Sequence, residues 1–314
     1  MVAVRTRLMG LGFLALAPWA SGQPLLLGRW EEVEHLWASE LVRAALEAQA
    51  EAPSDQALSD LAQGLVLLAG NLRPHPDLQA QLETLATQVR QLAQEGPQGL
   101  RPLLPQAFQL LEQIQQVLVP QLDPPLVAGL LVQMALGEDG VAASYRGGFL
   151  GKRAAYRRGF FLLWRLQVLA EDLKPHLSPA AWSQVSEALA ALWAVYPSSE
   201  LPVHFRDPDE VREATLDLAY ALEAGLGMDL LPRDPQQGLA HLRHLLEQVC
   251  PSPLNGGHEG AAWASSRLFF LSYLLPLLGP RVPGTAEALA QALREEDCPR
   301  LFPLLDEAGK GPWE

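Results

Sequence analysis

Lysine is nearly missing from this chain: Lys152, Lys174 and Lys310 stand against 20 arginines in 314 residues. Isoleucine is reduced to Ile114, and asparagine to Asn71 and Asn255. These residues share AT-rich codons, so a GC-rich bacterial genome accounts for all three shortages. Neither asparagine opens an Asn-x-Ser/Thr site, which excludes that glycosylation signal. Common catalytic signatures are missing too. There is no Gly-x-Ser-x-Gly elbow, no phosphate-binding glycine loop before a lysine, and no Gly-x-Gly-x-x-Gly. The absence of Cys-x-x-Cys-His excludes covalently attached haem by that motif.

Only two cysteines occur, Cys250 and Cys298, each before a proline. In an oxidising compartment a lone pair is most simply a disulfide. Closing a loop of that length stabilises a fold by about 4 kcal/mol in the chain-entropy model. The competing reading makes the two Cys-Pro pairs thiolate ligands of haem or a metal.

The N-terminus supplies the compartment. Arg5 and Arg7 precede an apolar run from Leu8 to Ala17, followed by Pro18-Trp19-Ala20-Ser21-Gly22-Gln23. Charge, apolar run and alternating small residues define a secretory signal peptide over residues 1–22, with cleavage before Gln23. The run is roughly half as long as a bilayer span requires. An uncleaved anchor or a buried first helix are the alternatives. The expected localisation is periplasmic or extracellular. The apolar segment Leu268–Leu278 is short and broken by Pro276, so it reads as a buried helix and no stable span is expected.

Acidic residues exceed basic ones by 36 to 23, a net charge of −13, and removing residues 1–22 makes it −15. That balance argues against non-specific binding to nucleic acid or to anionic lipid. An apolar fraction of 49 % excludes a disordered chain.

Periodicity is helical almost throughout, and no stretch alternates like a strand. Asp207-Pro208, Asp234-Pro235 and Ser178-Pro179 each set a capping residue before proline at a first helical position. The expected fold is all-α, either a multi-helix array or a two-lobed bundle of antiparallel helical hairpins. Lobes over residues 23–122 and 123–314 are one division; one continuous helical domain is the other. A single helix is expected across 141–173.

The densest chemical signal runs from Tyr145 to Arg165, with Arg146, Lys152, Arg153, Arg157, Arg158 and Arg165. Tyr145-Arg146-Gly147-Gly148-Phe149 is echoed 11 residues later by Tyr156-Arg157-Arg158-Gly159-Phe160. On one helix, Arg146, Arg153 and Arg157 fall within about 40° of arc, with Tyr145 and Tyr156 in the next sector. Guanidinium groups beside phenol hydroxyls form a receptor for phosphate, sulfate or carboxylate. The competing reading pairs this stripe with Glu31, Glu32 and Glu34 of the first helix, the glycines seating a crossing helix.

Histidine patterns are weaker. Glu32-x-x-His35 lacks the second copy that a di-iron bundle needs, and His258-Glu259 has Ala262 where a zinc protease needs histidine. His241, His244 and Glu247 read as an exposed helix face. No metal site and no cofactor are expected. The functional expectation is an exported soluble binding or interaction protein whose partner is a small anion or another protein. Helical-bundle metal or haem binding through His35, His241, His244 or His258 is one alternative. A structural protein of the cell envelope is the other.

Overall fold

A computed structural model describes residues 29–312, apart from 71, 73, 96–99, 138, 232–234, 251–262, 264, 265 and 268. The expected signal segment, His258 and the expected cap Asp234 lie outside the described residues. Among the described residues the fold is all-α, without a strand.

The helices are α1 (Trp30–Glu51), α2 (Asp55–Gly70), α3 (Pro76–Glu95), α4 (Leu100–Leu118) and α5 (Pro124–Leu136). After these come α6 (Val141–Phe149), α7 (Arg153–Leu173), α8 (Pro179–Val195), α9 (Pro208–Leu226) and α10 (Pro235–Val249). A π-helical turn (Phe270–Leu274) runs into the short α11 (Leu275–Leu278), and α12 (Pro283–Glu295) and α13 (Cys298–Ala308) complete the order.

Local chemistry explains many boundaries. Asp123, Ser178 and Asp207 accept backbone N–H bonds from Leu126, Ala181 and Asp209, and each precedes proline at the first helical turn. Gly227 ends α9 in the left-handed conformation, at φ 65°.

The expected helix over 141–173 is instead two helices. Gly151 has φ +86°, its N–H donates to Gly148 O, and the Lys152 N–H donates to Gly147 O. These bonds form a Schellman C-cap that stops α6 and folds α7 back against it. The 11-residue echo therefore relates two packed helices, not successive turns of one.

Helix α5 is the centre of the larger core, with every residue from Leu126 to Ala135 buried. It packs against α1, α6, α7 and α9. The stretch Pro124–Phe149 is apolar enough, by length and composition, to cross a membrane, but 76 % of its window is buried inside the molecule. A second core lies between α2, α3 and α4. Helix α1 serves both: Val33, Leu36, Trp37 and Ala44 enter the first, Val42 and Leu46 the second.

Cys250 at the end of α10 and Cys298 at the start of α13 stand at disulfide-bonding distance, with a Cα separation of 5.5 Å. Neither sulfur is a free thiolate.

Candidate functional site

Three glycines bring α6 and α7 close enough to form the centre of the candidate site. A Cβ on Gly148 would lie 2.7 Å from the Tyr156 ring, and one on Gly147 would lie 2.9 Å from the Ala155 methyl. A Cβ on Gly159 would meet the Tyr196 hydroxyl and lie 2.6 Å from Ser144 Cβ. The gap they leave holds an aromatic cluster. Tyr156 stacks on Tyr196 at 4.8 Å, and Tyr145 meets Tyr196 edge-on at 5.3 Å and Phe205 at 5.5 Å.

All three tyrosines are buried, yet each hydroxyl has a backbone partner. Tyr145 Oη accepts from Arg206 N (2.9 Å), Tyr196 Oη donates to Val141 O (2.9 Å), and Tyr156 Oη donates to Val195 O (3.5 Å). Burial pushes the Tyr156 phenol up to about 12, with Tyr145 adding to the shift. These phenols are neutral props that anchor the loop before α9.

The structure divides the five candidate ligand residues. Tyr145 and Tyr156 are in the aromatic cluster, where their rings are covered. Arg157 is buried too; it donates to Ala52 O (3.3 Å) and pairs with Glu200 (3.8 Å), capping the C-terminal end of α1. Arg146 and Arg153 alone remain exposed, on either side of the α6–α7 turn. With Lys152 they make no side-chain hydrogen bond or ion pair to any described residue. Phe149 and Leu150, 51 % and 67 % exposed, sit between these cations.

The remaining basic residues of the segment turn inward. Arg158 pairs with Asp139, and Arg165 grips Glu40 of α1 through two hydrogen bonds of 2.7 and 2.9 Å. The first helix does supply acid to this segment, through Glu40; Glu32 pairs with Arg29, and the side chains of Glu31 and Glu34 lie outside those described. Around Glu40, Gln115 of α4 donates at 3.2 Å and Arg43 approaches to 3.7 Å. Arg43 also lies over the Phe108 ring and 3.7 Å from Glu112.

Burial alone would raise the Glu40 carboxyl. The Arg165 charge and hydrogen bonds, helped by Arg43 and Gln115, outweigh it and hold the group below its ordinary value. Glu47 lies two helical turns further along α1, with Oε2 buried and without a hydrogen-bond partner among the described residues. Burial pushes its carboxyl up to about 7, against the pull of Arg43 and Arg165.

Comparison with known proteins finds no matching family model, no similar curated protein and no similar solved structure.

Helix periodicity alone carries a hint of the buried ionic seam. Glu40, Arg43 and Glu47 interrupt the same stripe of α1 as Val33, Leu36 and Ala44, which marks them as charges inside a packed face. Arg165, the partner of Glu40, is 125 residues away from it, beyond any local pattern.

Histidine behaves differently from its expected exposed face. His241 is buried against the Phe269 ring at 4.6 Å, and burial with the nearby His244 lowers its pKa to about 4. His244 and Glu247 are exposed. Among the described residues, no group of three or more His, Cys, Asp or Glu side chains is placed to hold a metal ion.

Proposed function

We propose that this chain is an exported binding protein whose recognition surface is the turn between α6 and α7, directed at an anionic partner. One observation carries the reading: Arg146, Lys152 and Arg153 are exposed and without partners among the described residues, beside exposed Phe149 and Leu150, in a chain of net charge −13. Other arginines of the same segment, Arg157, Arg158 and Arg165, are neutralised by Glu200, Asp139 and Glu40. An acidic chain that leaves three clustered cations unneutralised provides a local attraction for negative charge that its overall field opposes. The anion receptor thus consists of Arg146, Arg153 and Lys152, with Tyr145, Tyr156 and Arg157 as the frame behind it.

Export is supported by the N-terminal charge-and-apolar pattern and by the paired cysteines. The test is native mass spectrometry of protein purified from the envelope or medium of its host, without reductant. The expected mass begins at Gln23, is two hydrogens below the reduced chain, and carries an anionic species that Arg146→Glu/Arg153→Glu removes. A bound species that persists in that variant would move the site elsewhere, and a bound metal would replace this reading.

A further inference from the structure

The α6–α7 turn presents its two apolar side chains consecutively, at the apex of a rigid reversal. The Schellman bonds at Gly147, Gly148 and Gly151 fix the backbone, and buried Tyr145 and Tyr156 hold the helices beneath it. The loop before α9 lies alongside, joined by the Phe149–Phe205 edge contact (5.8 Å) and by Arg206 N on Tyr145 Oη. That loop adds Val203, 92 % exposed, and a fourth exposed cation, Arg206, whose guanidinium has no partner among the described residues. Of the described acids closest in sequence, Asp139 and Glu200 are taken up by Arg158 and Arg157, while Asp207, Asp209 and Glu210 are exposed at the start of α9.

We infer that this face docks peripherally on an anionic lipid bilayer, with Phe149, Leu150 and Val203 entering the headgroup–acyl boundary and Arg146, Lys152, Arg153 and Arg206 meeting lipid phosphates. The inference rests on the reading of the turn as the recognition surface. Exposed aromatic and aliphatic side chains ringed by cations match the chemistry of that boundary, apolar below and negative above. A stable protein partner needs about 800 Å² of complementary surface on each side, and the exposed large apolar side chains of this face are Phe149, Leu150 and Val203. A bilayer requires no matching shape. The net charge of −13 keeps the rest of the molecule off such a surface, so attachment is confined to one orientation.

The test is co-sedimentation of the full chain with vesicles of phosphatidylcholine alone and with vesicles containing phosphatidylglycerol. Two double variants are compared, Arg146→Glu/Arg153→Glu and Phe149→Asp/Leu150→Asp. All share the same N-terminus, so their differences report the turn. These positions are exposed, and unchanged helicity and melting temperature confirm folding.

The expected result is binding to the anionic vesicles that falls roughly tenfold or more in each variant, with weak binding to neutral vesicles. No binding to either vesicle, or binding unaltered in both variants, overturns the lipid assignment. Titration of the same proteins with polyglutamate, an acidic polypeptide, separates the two levels. Turn-dependent binding to polyglutamate without vesicle binding overturns the lipid assignment and retains the anionic-partner reading. Failure of both probes overturns both.

Discussion

Glu40 and Glu47 lie seven residues apart on one stripe of α1, and their carboxyls shift in opposite directions: burial carries Glu47 up, whereas for Glu40 the pull of Arg165 and Arg43 outweighs burial. Glu40 has Arg165 in two-pronged contact and Gln115 on the same carboxylate, so its ionised form is favoured despite burial. For Glu47 burial outweighs the attraction of Arg43 and Arg165, Glu40 repels its charge, and its buried oxygen has no hydrogen bond among the described residues. Its proton is therefore held more tightly in the folded chain than in the unfolded one. With the carboxyl raised from 4.5 to about 7, its stabilising contribution is complete below 4.5 and is lost as pH rises through 7. Glu40 runs the other way, contributing above its ordinary range and losing that contribution as pH falls. Glu47→Gln keeps the shape and removes the titration. Urea unfolding of the wild type and the variant at about pH 5 and about pH 8 should show the variant gaining about 2 kcal/mol relative to wild type at the higher pH. Equal slopes against pH would mean that Glu47 titrates like a solvated carboxyl.

At the scale of elements, the glycines of the α6–α7 hairpin decide how close two helices come. Gly159 faces Ser144 and the Tyr196 hydroxyl, which is itself hydrogen-bonded to Val141 O. In an open helix Gly159→Ala would stabilise by roughly 1 kcal/mol. Here the added methyl has to displace a buried ring, and the expected outcome is a loss of about 2 kcal/mol in chemical denaturation. A stabilised variant would show that the aromatic cluster yields. This seat also explains what the sequence conveys and what it conceals. The all-α class and the starts of α8 and α9 are legible, because capping residues followed by proline act within one turn of chain. The break at Gly151 is hidden: an offset of 11 residues suits a continuous helix, while the glycines that cause the reversal resemble ordinary weak positions. Arg146 and Arg153 were readable as cations, but whether an arginine of this segment faces water or an acid depends on partners such as Glu40, Asp139 and Glu200. Only the tertiary fold brings those groups within reach.

The whole molecule has two apolar cores that share α1, and charge lies where they meet. Helices α2 and α3 pack chiefly on each other and on α1 and α4, while α5 organises the larger core with α6, α7 and α9. Between them, Glu40, Arg43, Glu112, Gln115 and Arg165 connect α1, α4 and α7. A buried ion pair aligns elements but adds less net stability than apolar packing of the same volume. Coupling across this seam should then be weaker than cohesion within either core. Leu65 in α2 and Leu218 in α9 are both fully buried, one in each core, so truncating each to alanine tests the point. Each substitution should cost 2–5 kcal/mol locally. Native-state hydrogen exchange of Leu65→Ala should show faster opening in α2, α3 and α4, with amides of α5 and α9 keeping their protection. Leu218→Ala should show the converse. If instead Leu65→Ala lowers the protection of α9 by the same free energy as that of α2, the ionic seam transmits the full folding free energy and the two cores open as one.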